Sequence, residues 1–378
     1  MNRRSMSYRS TLTVRSQAAQ PFRDSHAISA GLLALTAAIL IVVGAGVARG
    51  QQPTALQGTT GLVYTANERG NSISMIDLRT GRVETVPIPI SPHNVQVTAD
   101  GARLLAVGDP VTYTGTHGHG EVGHGSKAEG RLLVLDAKSL ASGSVASIAV
   151  GDHPAHVVVD REGQHAFVTL AGADAVAVVD LVRQRVARTI GTGRYPHGLR
   201  ISPDGREVYV ANVEDGSVSV INTAKLSEAA RIPVGRAPVQ VGFTPDGSRV
   251  YVSLRDENRV AVIDTATRAV VARIAVGPNP IQVHATPDGG FVYVANQGTE
   301  AEPADTVSVI EAATGIVVDT IRTGAGAHGV AVDDDGRHVF ITNIVAGTVT
   351  VIEAKSRSVI AAFAVGRGPN GITFRAAD

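Results

Sequence analysis

One short sequence pattern recurs seven times along the chain, and its spacing limits the folds that the chain can adopt. The segments are SPHNVQVTADG, HPAHVVVDREG, YPHGLRISPDG, APVQVGFTPDG, NPIQVHATPDG, GAHGVAVDDDG and GPNGITFRAAD. The proline of each segment, or Ala327 in the sixth, falls at 92, 154, 196, 238, 280, 327 and 369, so the spacings are 62, 42, 42, 42, 47 and 42 residues. Insertions at 111–130 and 298–306 account for the two irregular spacings. Such a regular period predicts a fold built from one repeated unit.

Each repeat contains four short runs that are rich in strand-forming residues. In the third repeat these runs are HGLRIS, EVYVAN, SVSVIN and EAARIPV. An Asp-Gly pair, such as Asp204-Gly205, separates the first two runs and suits the positive φ of a tight hairpin. Four antiparallel strands in every ~40–45 residues are typical of a propeller blade. We therefore predict an all-β fold, a seven-bladed β-propeller of four-stranded antiparallel blades, over residues 61–378.

The two ends of the repeat region are expected to complete each other. The last repeat contains one strand, GITFRA, whereas LVYTAN, SISMIDL and RVETVPI precede the first repeat. We predict that these four strands form one blade, because this pairing closes the ring and removes an exposed edge. A solenoid is the alternative, and it would leave both end repeats incomplete.

The N-terminus predicts export from the cytoplasm. Residues 1–26 form a basic segment with five arginines and one acid, and residues 27–48 are apolar and uncharged. Such a run can span a bilayer as one helix, with the arginines on the cytoplasmic side. Its length favours an uncleaved signal anchor over a cleaved signal peptide, although small residues near Ala48 keep cleavage open. Residues 49–60 are predicted to be a linker, and the propeller is expected in a periplasmic or other extracytoplasmic space.

Composition excludes several functions. The chain has no cysteine, so it cannot form disulfides, attach a c-type haem or build a cysteine-ligated copper centre. It carries 34 basic and 34 acidic residues, and aromatic residues make up 4 % of the chain. Nucleic acid is therefore not expected as a partner, because it requires basic grooves with aromatic platforms. We expect a monomer.

The second strands carry a recognisable signature. VYVAN, YVSL and VFITN resemble the YVTN motif that names a family of seven-bladed propellers, and P-H-G, SPDG and VSVIN extend the resemblance. The chain thus resembles the YVTN or YncE-like family over about residues 61–378. It is more distantly similar to the propellers of nitrous-oxide reductase and haem nitrite reductase. The resemblance implies the fold but no single function, since one propeller hosts many activities.

The strand order predicts which residues line the channel mouth. We call the face where the innermost strands begin the mouth face, and the opposite face, with the Asp-Gly turns, the far face. The residues directly after the repeat prolines should ring the mouth, with the next residues beside them and three loop arginines nearby. The candidate ligand-binding residues are His93, Asn94, His156, Arg194, His197, Arg236, Gln240, Gln282, His328, Arg367 and Asn370.

The histidines of this ring predict a metal site. A neutral imidazole nitrogen is a good ligand for copper, zinc, iron or nickel. The 111–130 insertion, which joins the second and third strands of the His93 blade, should lie on the same face. The candidate metal ligands are His93, His156, His197, His328, His117, His119 and His124, for Cu, Zn or haem iron. The alternative is that these histidines line the mouth or bind backbone, that the insertion is a plain loop, and that the arginines are solvated. His284, inside an innermost strand, is interpreted as a core residue.

We expect an exported binding or scaffold module, tethered to the inner membrane if the helix stays uncleaved. Its mouth would take a metal ion, a small anionic ligand or a protein partner. One alternative is a redox or metal enzyme of the haem- or copper-propeller type. The chain departs from those enzymes, because it has no cysteine for a dinuclear copper centre, no attached cytochrome c domain and seven blades where the nitrite reductase has eight. Another is a propeller lactonase, with His93 or His197 as the base and Arg194 as the electrophilic stabiliser.

Overall fold

The computed structural model describes residue 56 and residues 59–111 and 129–377 of the chain. The basic segment, the apolar run 27–48, most of the linker and the three histidines of the 111–130 insertion lie outside the described residues. The described part forms 28 strands in seven four-stranded sheets, so the prediction of a seven-bladed propeller is confirmed. Within the same ranges, no helix has both the length and the apolar character needed to cross a membrane.

The blades are lettered A to G in the order in which they follow one another around the ring. Blade A contains β1 (Leu62–Asn67), β2 (Ser72–Asp77), β3 (Val83–Pro87) and β28 (Pro369–Arg375). Blade B contains β4 (Ile90–Val97), β5 (Arg103–Pro110), β6 (Gly130–Asp136) and β7 (Ser144–Gly151). Blade C contains β8 (Pro154–Val159), β9 (His165–Leu170), β10 (Ala175–Asp180) and β11 (Arg185–Gly191). Blade D contains β12 (Pro196–Ile201), β13 (Glu207–Asn212), β14 (Ser217–Asn222) and β15 (Ser227–Pro233).

The remaining three blades repeat the same order of strands. Blade E contains β16 (Pro238–Phe243), β17 (Arg249–Leu254), β18 (Arg259–Asp264) and β19 (Ala269–Ala275). Blade F contains β20 (Pro280–Ala285), β21 (Phe291–Gly298), β22 (Pro303–Glu311) and β23 (Ile316–Arg322). Blade G contains β24 (Ala327–Val332), β25 (His338–Asn343), β26 (Thr348–Glu353) and β27 (Ser358–Ala364). The described 3₁₀ helices are Glu68–Gly70, Leu140–Ser142, Ala171–Ala173 and Arg255–Glu257.

Blade A joins the two ends of the described chain, as predicted. Its strand order is β28-β1-β2-β3, and Leu62 of β1 lies opposite Arg375 of β28. The innermost strand β28 also packs against β4 of blade B and β24 of blade G. The ring is therefore closed by a β-ladder between β1 and β28, and every innermost strand of the described residues is paired with the second strand of its blade.

Apolar side chains fill the interfaces between successive blades. Between blades D and E, Tyr209 and Val218 pack with Val241 and Val252, and all four side chains are buried. Val210, the neighbour of Tyr209 in β13, faces the other way into the interface with blade C. Because successive side chains point to opposite faces and both faces are covered, these strands read as continuous apolar runs.

The last asparagine of the YVTN-like motif holds the adjoining loop on the mouth face. In blade D, Nδ2 of Asn212 donates to the hydroxyls of Ser217 (3.0 Å) and Ser219 (2.9 Å) at the start of the third strand. The equivalent residues in blades A, F and G, which bind hydroxyls in the same way, are Asn67, Asn296 and Asn343. The motif thus fixes the turn between the second and third strands.

A hydroxyl of the second strand connects neighbouring innermost strands. Oγ1 of Thr169 accepts from the backbone N–H of His156 (2.9 Å) and donates to the backbone carbonyl of His197 (2.7 Å) in the next blade. Ser253 and Thr342 make the same pair of bonds in blades E and G. In blade C this bridge sets the spacing of two strands that both carry a mouth histidine.

The far face carries the Asp-Gly turns, as predicted. Gly205, Gly247 and Gly289 have φ values of 75°, 71° and 70°, which glycine adopts without a steric penalty. In the first of these turns the carboxylate of Asp204 accepts from the hydroxyl of Ser202 at 2.6 Å. The polar turn residues therefore satisfy one another locally.

The two insertions lie between the second and third strands of their blades. The first joins β5, which ends at Pro110, to β6, which begins at Gly130. The second lengthens the hairpin of β21 and β22, in which Gly298 pairs with Pro303. At the tip of this hairpin, Glu300 forms an ion pair of 2.7 Å with Arg69 of blade A. The five extra residues are therefore part of the sheet rather than a loose loop.

Candidate metal centre

The mouth residues face the channel because the ladder between first and second strands is interrupted there. In blade D the register shifts between Pro196 and Leu199, so His197 and Gly198 have no ladder partner in β13. The same shift occurs in blades C, E, F and G. A bulge of this kind re-aims side chains at the rim of a sheet.

Three imidazoles from blades B, C and D meet at the mouth. His93, His156 and His197 each have a ring nitrogen within 4.8 Å of those of the other two. The Nε2 atoms of His93 and His197 are 3.1 Å apart. The ring centroid of His156 lies 5.5 Å from that of His93 and 4.7 Å from that of His197. The structure thus brings together three of the seven predicted metal ligands.

The Nδ1 partners of two of these rings assign their tautomers. Nδ1 of His197 lies 3.2 Å from the carbonyl oxygen of Val239, which can only accept. Nδ1 of His93 lies 3.2 Å from Oε1 of Glu68, and an ionised carboxylate also only accepts. Both protons are therefore assigned to Nδ1, and both Nε2 atoms keep their lone pairs.

A contact of His93 with Asn370 competes with this assignment. Nδ2 of Asn370 is 3.2 Å from Nδ1 of His93 but only 2.8 Å from Oε2 of Glu68. The amide of Asn370 therefore donates to the carboxylate of Glu68, the partner at the shorter distance. We therefore place the imidazole proton between His93 and Glu68, which is the carboxylate–histidine arrangement that commonly supports a metal ligand.

His156 is the least satisfied of the three rings. It is 1 % exposed, and neither of its ring nitrogens has a hydrogen-bond partner. Buried polar atoms without a partner are rare and costly in native proteins. A cation at the mouth would engage one of these nitrogens, whereas the described side chains leave both unpaired.

Burial keeps two of the imidazoles, those of His156 and His197, neutral. Desolvation, with repulsion from the neighbouring histidines, holds the pKa of His156 and of His197 well below the usual value. Desolvation would raise the pKa of Glu68, but attraction to His93 and hydrogen bonds from His93 and Asn370 outweigh it and lower this pKa to about 2. His156 and His197 therefore offer neutral nitrogen ligands in a cluster that also contains the negative charge of Glu68.

Replacing Glu68 by glutamine tests this supporting role. We expect the affinity for zinc to fall by roughly 10–100-fold, because loss of a carboxylate behind a ligating histidine typically has that effect. The affinity is measured by competition with a coloured chelator. Glu300→Gln, an exposed substitution on the same face, is the matched control. Equal affinities for the two variants would contradict the role.

The spacing of the nitrogens suits a small ion. Two ligands at 2.0–2.1 Å from a tetrahedral zinc ion lie about 3.3–3.4 Å apart. The observed 3.1 Å between His93 and His197 is close to that value, and His156 has a ring nitrogen within 4.8 Å of both. Haem fits less well, because its macrocycle leaves only axial positions and three converging imidazoles cannot share them.

His328 lies beside the three-histidine cluster but outside it. Its Nδ1 is 2.9 Å from Oε1 of Gln297, and its Nε2 is buried with no hydrogen-bond partner. Desolvation, followed by repulsion from His93, lowers the pKa of His328 to about 4. His328 thus continues the histidine arc toward blade G without joining the group of converging nitrogens.

The depressed pKa of His328 predicts acid sensitivity. The folded state favours the neutral ring. The contribution of His328 to the free energy of unfolding is therefore complete above the unfolded pKa near 6.5, and it is lost as the pH falls toward the folded pKa of about 4. A shift of this size corresponds to roughly 3 kcal/mol. Urea unfolding in EDTA from pH 7 to pH 4.5 should show a shallower loss of stability for His328→Gln than for the wild type. The half-exposed His165→Gln serves as the control and should lose stability with falling pH as the wild type does. The same pH dependence for His328→Gln as for the wild type would contradict the prediction.

The polar residues one step further along the innermost strands bind backbone. Oδ1 of Asn94 accepts from the N–H of Val157 at 3.3 Å, and Oε1 of Gln282 accepts from that of Val330 at 3.2 Å. Oε1 of Gln240 accepts from the next backbone N–H of its own strand at 2.9 Å. These three predicted ligand-binding residues are buried, and the first two connect neighbouring blades.

The three loop arginines bind the backbone of neighbouring loops. Arg194, Arg236 and Arg367 lie between blades, as predicted, but their guanidinium groups donate to backbone carbonyls of neighbouring loops at 3.0–3.1 Å. The side chain of Arg194 is 65 % exposed. The structure therefore does not bring these arginines into the imidazole cluster, and the pairing of Arg194 with His93 or His197 that a lactonase would use is not formed.

Sequence reasoning missed the residues that orient the imidazoles. Glu68 directly follows the last residue of the YVTN-like motif in blade A, and it contacts His93 of blade B. Gln297 occupies the same position in blade F and contacts His328 of blade G. Asp109 occupies this position in blade B, and its carboxylate accepts from Nδ1 of His153, in the loop that leads to blade C, at 2.9 Å. In these three blades the residue after the motif contacts a histidine of the next blade or of the loop that leads to it, a pattern that would have identified Glu68.

One surface groove lies away from the mouth. A groove of about 390 Å³ on the far face, between blades D and E, is lined among others by Asp204, Glu207, Tyr209 and Phe243. In the described ranges, the three mouth histidines are the one group of three or more metal-ligating side chains with converging donor atoms. The chemistry of the site, rather than the size of a cavity, therefore singles out the mouth.

Comparison with known proteins agrees with the fold. The profile of the YNCE-like beta-propeller family matches residues 145–377. Among solved structures, hydrazine synthase of Kuenenia stuttgartiensis is similar with a TM-score of 0.63 and 23 % identity, over 76 % of this chain and 90 % of that chain. A functionally unknown protein of Desulfotomaculum acetoxidans DSM 771 has a TM-score of 0.67 and 15 % identity, over 84 % of this chain and 100 % of that chain. No curated protein sequence matches the chain.

Proposed function

Since the chain belongs to the YNCE-like β-propeller family, we propose that it uses the channel mouth of that fold as a metal-binding module. One divalent transition-metal ion would be held by His93, His156 and His197. The proposal rests on the 3.1 Å contact between the Nε2 atoms of His93 and His197. In both rings the proton is assigned to Nδ1, so neither Nε2 carries a hydrogen. Two facing lone pairs repel each other, and a cation between them turns that repulsion into two bonds.

The choice of metal follows from the ligands. Imidazole suits zinc, copper and nickel, and a three-histidine set leaves at least one coordination position open. That position would face the channel, where a water molecule or a small ligand could occupy it. Binding is proposed rather than catalysis, because the nearest carboxylate, Glu68, is already engaged by His93 and Asn370.

We also place the module outside the cytoplasm, tethered by residues 27–48. The support is the uncharged apolar run and the arginines that precede it. Alkaline carbonate extraction of cell membranes should leave the full chain in the pellet. Recovery of the chain from the cytosolic fraction would contradict the proposal.

The metal site is tested on the full-length chain with the three insertion histidines replaced by alanine. This background removes His117, His119 and His124 as independent ligands. Equilibrium dialysis against zinc or copper, followed by elemental analysis, should give one ion per chain. The copper-loaded protein should show nitrogen hyperfine splitting in its electron paramagnetic resonance spectrum. A background variant that retains no zinc, copper or nickel after dialysis would overturn the proposal.

A further inference from the structure

A second ring of positions, here called the deeper ring, lies three residues beyond the mouth positions on the seven innermost strands. Its members are Gln96, Val158, Arg200, Gly242, His284, Ala331 and Thr373. Gln96, Arg200 and His284 keep partial exposure there, whereas Val158 and Ala331 are buried in apolar clusters between blades. Three residues of extended chain span about 10 Å, so the deeper ring consists of other positions than the mouth ring, although His156 of blade C lies between the two. Arg200 is the one permanently charged member of the deeper ring.

The charge of Arg200 has no carboxylate partner in the described part of the chain. Nη1 donates to the backbone carbonyl of Leu199 at 3.1 Å, and burial is the one cause that lowers the pKa of Arg200, to about 10. By contrast, Arg231 and Arg268 outside the channel each pair with a glutamate, at 3.0 and 2.6 Å. A half-buried guanidinium has five N–H donors, and most of those of Arg200 therefore remain available for a ligand.

Arg200 keeps partial exposure on the innermost strand of blade D, where it pairs with Tyr209 of the second strand. Burial is the main cause that lowers the pKa of His156 in blade C and of His284 in blade F, and the positive charge of Arg200 contributes to both shifts. Gly242, the corresponding residue of blade E, places no side chain between Arg200 and His284.

Two further members of the ring present acceptors. Nδ1 of His284 donates to the carbonyl of Ala285 at 2.9 Å, so its Nε2 is a free acceptor. Nε2 of Gln96 donates to the carbonyl of Val97 at 3.1 Å, which leaves its Oε1 free. His284 is therefore not the fully satisfied core residue that the sequence suggested. The deeper ring combines a strong donor fork with neutral acceptors.

We infer that the deeper ring binds a small carboxylate, with Arg200 as the bidentate donor. A planar guanidinium matches the two oxygens of a carboxylate, and the pair gains strength in a partly dehydrated channel. The free acceptors of His284 and Gln96 receive hydrogen bonds from water or from a hydroxyl on the same ligand. This site stands without the metal site, because none of its residues is a proposed metal ligand.

Titration calorimetry with acetate, in a buffer without other carboxylates, tests the inference on the full-length chain. Arg200→Gln should weaken acetate binding at least tenfold. Arg206→Gln, which removes an exposed arginine of the same blade, should leave it unchanged. His197→Ala should retain acetate binding, so that failure of the metal proposal and failure of this one are distinguishable. Absence of saturable acetate binding to the wild type, or equal binding by Arg200→Gln, would overturn the inference.

A second measurement covers the case in which Arg200→Gln does not fold. The Nε–H signal of Arg200 in ¹⁵N-labelled wild-type protein is assigned by its absence from Arg200→Lys. Acetate should shift this signal saturably, with the midpoint found by calorimetry. A signal that does not move as acetate is added excludes the site.

Discussion

Removal of residues 367–378 is expected to leave a chain without a cooperative unfolding transition. The deletion takes away β28, whose Ile372 is buried against Val63 and Phe340, and whose Phe374 stacks on Phe340 at 5.7 Å between ring centroids. Burial of the two large side chains and the lost ladder bonds together contribute on the order of 10 kcal/mol. That is comparable with the whole stability of a typical domain, about 5–15 kcal/mol.

The deletion also exposes the edge of β1, so the shortened chain should self-associate. Thermal unfolding followed by circular dichroism, with size-exclusion chromatography, measures both effects. Removal of residues 376–378 alone is the matched control, because Ala376 and Ala377 are exposed and lie beyond the strand. If the chain without residues 367–378 melted within a few degrees of the control, the pairing of β28 with β1 would not be essential for the fold.

Alanine at His197 is expected to lower the affinity for zinc at least 1000-fold in the background without insertion histidines. A thousandfold loss corresponds to about 4 kcal/mol. The effect is large because His197 supplies one of three nitrogens, and the remaining pair, His93 and His156, has ring centroids 5.5 Å apart. The affinity is measured by chelator competition, and thermal melting of the metal-free protein confirms that the variant is folded.

Two other histidines provide the controls for this substitution. His165 lies at the start of β9, bound to Asp160 at 3.0 Å and away from the mouth. His328 lies at the mouth but outside the converging cluster. Alanine at either position should leave zinc affinity within a few-fold of the background. A loss for His165→Ala as large as that for His197→Ala would show that the zinc is bound elsewhere.

The fold could be predicted from the sequence because its periodicity is unusually explicit. The repeat prolines mark the start of the innermost strands, and the Asp-Gly pairs mark the far-face turns. The join between β28 and β1 followed from counting strands at the two ends. Nothing in the period, however, distinguished an insertion that forms a loop from one that lengthens a hairpin, as residues 298–306 do. That outcome depends on pairing of the inserted residues with each other.

The candidate site was predictable in its position but not in its contacts. The ring of residues after the repeat prolines gave His93 and His197, and the next position gave His156. Their convergence depends on the register shift at the strand starts, which the sequence does not display. The role of Glu68 depends on a contact between blades, 25 positions apart in the chain. Arg200 was not predicted, because the sequence alone does not distinguish an arginine on an innermost strand from an exposed arginine at the surface.

The closing blade also orders the events by which the mouth is completed during synthesis. His93, His156 and His197 have all been synthesised by residue 197, about half-way along the chain. Glu68 is synthesised before them, but β1, the strand that leads to it, pairs with β28, and Asn370, which binds Glu68, belongs to β28. A growing chain thus has three imidazoles long before it has the support that orients His93. The mouth reaches its final form only when the last strand joins the first, so a chain that stalls early would present the ligands without their orientation.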